Sequence, residues 1–142
     1  MKKQLNFMFF ILVIVILAWL FSPSKTTRDK IWVLKGISLA QPHKAAIAEY
    51  YERNQRFPGA DDLEKDRIFV NVEYSRTAVD SIDVGNTGPG VITITYSTDK
   101  VEGAPEALDN RHVFLSPFII ENRIEWSCDT DMALEITPVA CQ

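Results

Sequence analysis

With 142 residues, a formal net charge of −4 and 24% charged residues beside 46% hydrophobic ones, the chain fits a single domain of modest size and is not a disordered polymer. Setting aside Lys2 and Lys3 leaves 13 of the 15 basic residues against 19 acidic ones, a net of −6. No Lys/Arg block occurs, and an acidic exterior repels phosphate backbones, so no nucleic-acid partner is expected.

The apolar residues are unevenly spread, because Phe7 to Phe21 is one unbroken run. At 1.5 Å per residue it makes about 22 Å of helix, or about 27 Å with Leu5, Asn6 and Ser22, against a hydrocarbon core of about 30 Å. A cleaved signal peptide wants small residues at the cut, and here Trp19-Leu20-Phe21 precede Ser22-Pro23-Ser24. The expectation is therefore an uncleaved anchor and joint over residues 1–24, with Phe7, Phe10, Ile14, Leu17 and Phe21 facing lipid. A buried core helix fits less well, since nothing gives the run a polar face. Lys25, Arg28, Lys30 and Lys35 follow the run, offset only by Asp29, so a count of positive charges favours the opposite orientation. The cysteine pair described below needs an oxidising compartment, which places the C-terminal domain outside the cytoplasm.

Ser22 to Thr27 is rich in helix-weakening residues and marks either a flexible joint or a kinked stretch of helix, and residues 25–142 form the globular part, including the soluble half of the helix. Helix is predicted to resume near Asp29. Ile31, Leu34, Ile37 and Ala40, then Ile47 and Tyr51, form a stripe suited to packing on a sheet. Pro42 should bend this helix, which ends near Asn54. Residues 59–77 read as an irregular surface loop with one strand or short helix at Ile68 to Val72. Strands are predicted at Ala78–Val84, Val91–Ser97, His112–Pro117 and Asn122–Trp126, with a turn at Gly85–Gly90 and a loop from Lys100 to Asn110. In the second strand Ile92, Ile94 and Tyr96 share one face. Short connections favour antiparallel pairing, and the helix stripe covers the apolar face of the sheet.

Cys128 and Cys141 are the only cysteines. An even count behind an export-type segment favours one disulfide over two separate buried thiols. Such a bridge closes a loop of about 14 residues and contributes roughly 3 kcal/mol. Asp129, Asp131 and Glu135 lie within that loop. They could gather around Ca²⁺, but their spacing matches no motif, and a solvated acidic loop is the preferred reading, with no metal and no cofactor expected. Gly88-Pro89-Gly90 lacks the Lys-Ser/Thr of a phosphate loop, no serine stands in a Gly-x-Ser-x-Gly context, and no catalytic set is present, so the chain is read as a non-enzyme. His112, among apolar strand residues, reads as structural, and His43, after Pro42, as solvent-facing. Trp19 and Trp32 suit a membrane interface, and Trp126 suits packing beside the cysteines.

The run Ala45-Ala46-Ile47-Ala48-Glu49-Tyr50-Tyr51 with Asn54-Gln55-Arg56-Phe57-Pro58-Gly59 resembles the end of the type IV pilin helix and its following loop. Ile124-Glu125-Trp126-Ser127-Cys128 and Pro138-Val139-Ala140-Cys141 resemble the pilin C-terminal disulfide region. The resemblance covers about residues 36 to 142, and its Trp-x-Cys…Pro-x-x-Cys signature is the most specific part. It implies an α+β fold: one long N-terminal helix on an antiparallel sheet of about four strands, closed by a C-terminal disulfide loop.

The same resemblance implies a structural or accessory subunit of a type IV pilus. It would serve surface attachment or filament assembly, with other pilin subunits or the assembly machinery as partners. Asp129, Asp131, Met132, Leu134, Glu135 and Pro138 would form the partner-contact loop. The N-terminus departs from the family: no Gly-Phe processing site is present, and Leu5 stands where pilins carry a Glu. This departure supports a rival reading, a membrane-anchored pilin-like accessory or ligand-binding protein that does not polymerise.

Overall fold

The computed structural model describes residues 11–17, 24–62 and 74–142. Residues 11–17 are helical, with Ile14 and Leu17 exposed, whereas Phe7, Phe10 and Phe21 of the expected anchor lie outside the described residues. Among the described residues no helix is long and apolar enough to cross a membrane. The element expected at Ile68 to Val72 also lies outside them.

Helix α1 spans Lys25–Leu39 and α2 spans Gln41–Asn54. α1 begins four residues before the expected Asp29, because Ser24 caps it. The Ser24 hydroxyl accepts the Thr27 backbone N–H at 3.2 Å, so a residue that weakens a helix interior serves here at its end. The bend falls at Ala40. Pro42 occupies the first turn of α2, where its missing N–H leaves no bond unmade, and the Lys44 N–H still reaches the Ala40 carbonyl at 3.0 Å. Gln55 ends α2 with φ 54° and donates its N–H to the Tyr51 carbonyl at 2.8 Å.

Strands β1 (Val79–Val84), β2 (Ile92–Tyr96), β3 (His112–Ile120) and β4 (Arg123–Thr130) form one sheet in the order β1-β2-β3-β4, all antiparallel. Ile92 and Ile94 pair with Leu115 and Val113, and Leu115 in turn pairs with Cys128. These residues share the face that meets the helices. The segment expected as plain loop after β2 carries two short 3₁₀ turns, Thr98–Lys100 and Glu106–Leu108, and the second sends Leu108 fully into the core.

The face of the helix that meets the sheet differs from the predicted stripe. Buried positions run Asp29, Val33, Gly36, Ala40, His43, Ile47 and Tyr50, in steps of four and three, while Ile31 and Leu34 stay 46% and 47% exposed. Ala40 and Ile47 belong to both sets and Ile37 is partly buried against the core, whereas Ile31 and Leu34 are rotated away from the sheet. Shape rather than hydrophobicity selects the α1 face. Tyr96, fully buried, donates its hydroxyl to the Val33 carbonyl at 2.8 Å, and its ring lies against Gly36. A Cβ at position 36 would stand 2.7 Å from Tyr96 Cζ, so only glycine lets the phenol reach the helix backbone. Burial pushes the Tyr96 phenol well above its usual range, so it remains a donor.

The loop after α2 is fixed to the sheet at Gly90. This residue has φ +72° and donates its N–H to the Pro58 carbonyl at 2.7 Å; a side chain there would meet Pro117 and Phe57. Tyr51 packs on Phe57 with ring centroids 4.8 Å apart. Asp62 accepts two bonds from the Arg56 guanidinium at 2.6 and 2.7 Å and one from the Gly59 N–H at 2.8 Å. The Arg56 bonds, joined by that from Gly59, hold the Asp62 carboxyl well below the usual carboxylate range.

His43 corrects the sequence reading. It is buried at 7% exposure, not solvent-facing. Burial pushes its imidazole below its ordinary value of 6.5. The unfolded chain therefore takes up this proton at a higher pH than the folded one. The contribution to stability is complete above about pH 6.5 and is lost as pH falls through the lower folded value. Thermal melts should show a midpoint that drops between about pH 7 and about pH 5 more steeply in the wild type than in His43→Leu. Equal slopes would refute this role of the imidazole.

Candidate partner-contact surface

The β3–β4 hairpin projects beyond the core. Glu121 and Asn122 have φ 48° and 62°, the left-handed pair of a two-residue type I′ turn between the paired residues Ile120 and Arg123. Phe118, Ile119 and Ile120 are 39%, 40% and 47% exposed. Consecutive strand residues point to opposite faces, so exposure of all three means that both faces of the tip meet solvent. Pairing of β2 with β3 stops at Leu115, so Pro117 sits where β3 has only β4 beside it. The sequence reading ended this strand at Pro117 and began the next at Asn122. The missed signal was Asn122, a residue that tolerates left-handed backbone, between two apolar segments.

The second part of the surface is the segment from Cys128 to Cys141. Those two cysteines form a disulfide with a Cα–Cα distance of 4.5 Å, and Cys128 belongs to β4. Inside the loop, Met132, Ile136, Thr137 and Pro138 are buried, as is Cys141 at its end, and Met132, Ile136 and Cys141 join the main core. The Thr137 hydroxyl donates to the Ala133 carbonyl at 2.9 Å, and the Gln142 amide donates to the Thr137 carbonyl at 3.1 Å. Leu134 and Val139, 67% and 80% exposed, point outward.

Of the residues expected in a contact loop, Asp129, Asp131, Leu134 and Glu135 are exposed, while Met132 and Pro138 hold the loop down. Asp129 lies on β4, and its carboxylate accepts the Thr130 N–H at 2.8 Å. Asp131 is bound to the start of β3: its two carboxylate oxygens meet the His112 N–H and the His112 Nδ1, each at 2.7 Å. Partial burial works to raise the Asp131 carboxyl, but the His112 bonds outweigh it and hold it below its ordinary value. The Thr130 hydroxyl donates to the His112 carbonyl at 2.7 Å, so residues 130 and 131 both fasten the loop at the same strand end. His112 is thus half-exposed and hydrogen-bonded to Asp131 through both its backbone and its ring. Asp129, Asp131 and Glu135 do not assemble around a common centre, and among the described residues no group of three or more His, Cys, Asp or Glu could hold a metal ion.

Helix and β4 meet where the Lys44 ammonium lies 4.8 Å from the centre of the Trp126 ring, and burial pushes the Lys44 amine below its usual range. Trp126 is partly buried and packs against the core, as does Cys128 two residues along the same strand face. A shallow groove of about 400 Å³ separates α2 from the hairpin, lined by Ala48, Tyr51 and Glu52 on one side and Asn122, Arg123 and Ile124 on the other.

The family model for pilin, a bacterial filament protein, matches residues 33–142, from the middle of α1 to the end of the disulfide-closed segment. A comparison with curated proteins returns no match.

The disulfide closes a short loop whose inward residues complete the core. Replacing both cysteines by serine should cost about 3 kcal/mol of unfolding free energy in urea titrations. Exchange of the 132–141 amides should rise more than that of the β2 amides. A double variant as stable as the wild type would refute the sealing role.

Proposed function

Because the chain belongs to the pilin family, whose members build bacterial filaments, we propose that it is a pilus-associated subunit held to the membrane by the apolar run Phe7 to Phe21. Its C-terminal domain lies outside the cytoplasm, where the Cys128–Cys141 bridge persists. The carrying observation is the pairing of a disulfide-sealed domain with outward apolar features that the core does not use, among them the tip Phe118–Ile120, and Leu134 with Val139. Contiguous exposed apolar residues on an otherwise polar surface mark contact sites. In this reading neighbouring subunits or an attachment target bind there, while Asp129 and Glu135 supply a polar rim.

A second reading has its own support. Counted back from Glu49-Tyr50-Tyr51, Leu5 stands where pilins carry a Glu. A subunit without that carboxylate lacks one charge used to set register in a filament. The chain would then serve as a membrane-anchored accessory protein that uses the same surface to bind pilins without polymerising.

Shear fractionation of cells separates the two readings. A filament subunit appears in the sheared surface fraction, and an accessory protein stays in the membrane pellet. In either fraction Ile119→Asp should reduce co-purification with pilin subunits by about ten-fold or more, as expected for loss of a buried apolar contact, and should leave the thermal midpoint unchanged. Recovery of the wild-type protein as a free species, with no pilin partner in either fraction, would count against both readings.

A further inference from the structure

β1 and β4 are the edges of the sheet, and both are guarded. β1 carries Asp80 and Asp83 and a break in register between Val79 and Ser81, and β4 carries Arg123, Glu125 and Asp129. Charges and irregular register keep an edge from pairing with a foreign strand. Beyond Leu115, β3 also becomes an edge on its β2 side, because the chain before Ile92 turns away at Gly90, whose N–H goes to the Pro58 carbonyl. That stretch, Ser116-Pro117-Phe118-Ile119-Ile120, carries no charge.

The bonds on either side of β3 fix the direction of its main chain. The His112 carbonyl accepts the Asp131 N–H at 3.4 Å and the Ser116 carbonyl accepts the Ser127 hydroxyl at 3.3 Å, so both point toward β4. The Arg111 carbonyl accepts the Tyr96 N–H at 2.9 Å and points toward β2. Main-chain groups alternate sides along a strand, so the even-numbered residues of β3 serve β4, and Val113, Leu115, Pro117 and Ile119 face the other side. Pro117 has no N–H to leave unpaired there. Ile119 has both an N–H and a carbonyl, and among the described residues no bond reaches either. One residue thus presents a donor and an acceptor side by side, the pattern that an added strand completes.

A second copy of the same edge fits this pattern. About a two-fold axis at Ile119, the two Ile119 residues exchange both bonds as a hydrogen-bonded antiparallel pair. Phe118 of each copy then stands across from Ile120 of the other, an aromatic side chain opposite a β-branched one, and both are exposed in the single chain. The two Glu121 carboxylates, displaced by four residues along the strands, lie about 14 Å apart, beyond the roughly 8 Å range of charges at physiological salt. We propose that two copies of this chain associate by main-chain pairing of their β3 edges at Ile119, which joins the two hairpins into one continuous sheet. The proposal rests on the reading of the hairpin tip as a contact site, and it names the neighbour there as a second copy.

Sedimentation equilibrium of the full chain in a neutral detergent, with hydrogen exchange at the same concentrations, tests it. The wild type should form concentration-dependent dimers. The Ile119 amide should exchange at least about ten-fold more slowly in the dimer than in the monomer, while the Phe118 and Ile120 amides, held by β4, change little. Ile119→Pro removes the outward N–H and should weaken dimerisation by about ten-fold or more. Ile119→Val keeps that N–H and should leave dimerisation within about three-fold of the wild type. Should Ile119→Pro disturb the hairpin, a charge pair reads the same contact. Ile119→Lys and Ile119→Glu should each stay monomeric at concentrations where an equal mixture of the two forms dimers, because residue 119 faces its own counterpart. A wild type that stays monomeric, an Ile119 amide whose exchange ignores concentration, or protection of that amide only when a pilin subunit is added overturns the proposal. Dimers that recover no pilin partner count against the subunit reading alone, whereas monomers that still co-purify with pilin count against the paired edges alone.

Discussion

Tyr96 reaches from the middle of the sheet to the backbone of the helix, and its hydroxyl ends on the Val33 carbonyl at 2.8 Å. That contact is possible only because position 36 carries no side chain, so the rotation of α1 about its own axis is set by a notch and a peg. Once α1 is fixed in this rotation, Val33, Ala40 and Ile47 fall on Ile92, Ile94 and Val113 in a single core, and Ile31 and Leu34 remain outside it. The docking of Lys44 on Trp126 inherits its position from that rotation.

From the sheet, order passes to the C-terminal segment by two independent ties. One is covalent, between Cys128 on β4 and Cys141. The other is polar, through Asp131 and Thr130 at the start of β3. Met132 and Ile136 then complete the core from outside the sheet, and Leu134 and Val139 are held outward as a consequence. The segment is therefore a rigid part of the domain whose exposed side chains are displayed in fixed places, which suits a repeated contact between subunits.

Much of this was legible in the sequence. Alternation of Ile92, Ile94 and Tyr96 against Thr93 and Thr95 placed the central strand within a residue of each end, and the paired cysteines and Trp-x-Cys pattern placed the closing segment. Reading α1 by hydrophobicity failed for a physical reason. Gly36 and Asp29 are buried, the first to admit Tyr96, and neither carries an apolar signal. His43 was misplaced because a polar side chain beside Pro42 reads as exposed, whereas the bend at Ala40 carries it inward. The apolar tip of the hairpin was missed because its turn uses Glu121 and Asn122 without glycine, and because Pro117 masks a strand that continues past it as an edge.

The central claim is that Gly36 and Tyr96 act as one fitted pair that orients the helix on the sheet. A double-mutant cycle with Gly36→Ala and Tyr96→Leu, read by urea unfolding, tests it most directly. With the phenol removed, the added methyl no longer collides, so the two changes should be non-additive, with a coupling of about 1–3 kcal/mol. Strict additivity of the two substitutions would contradict the account.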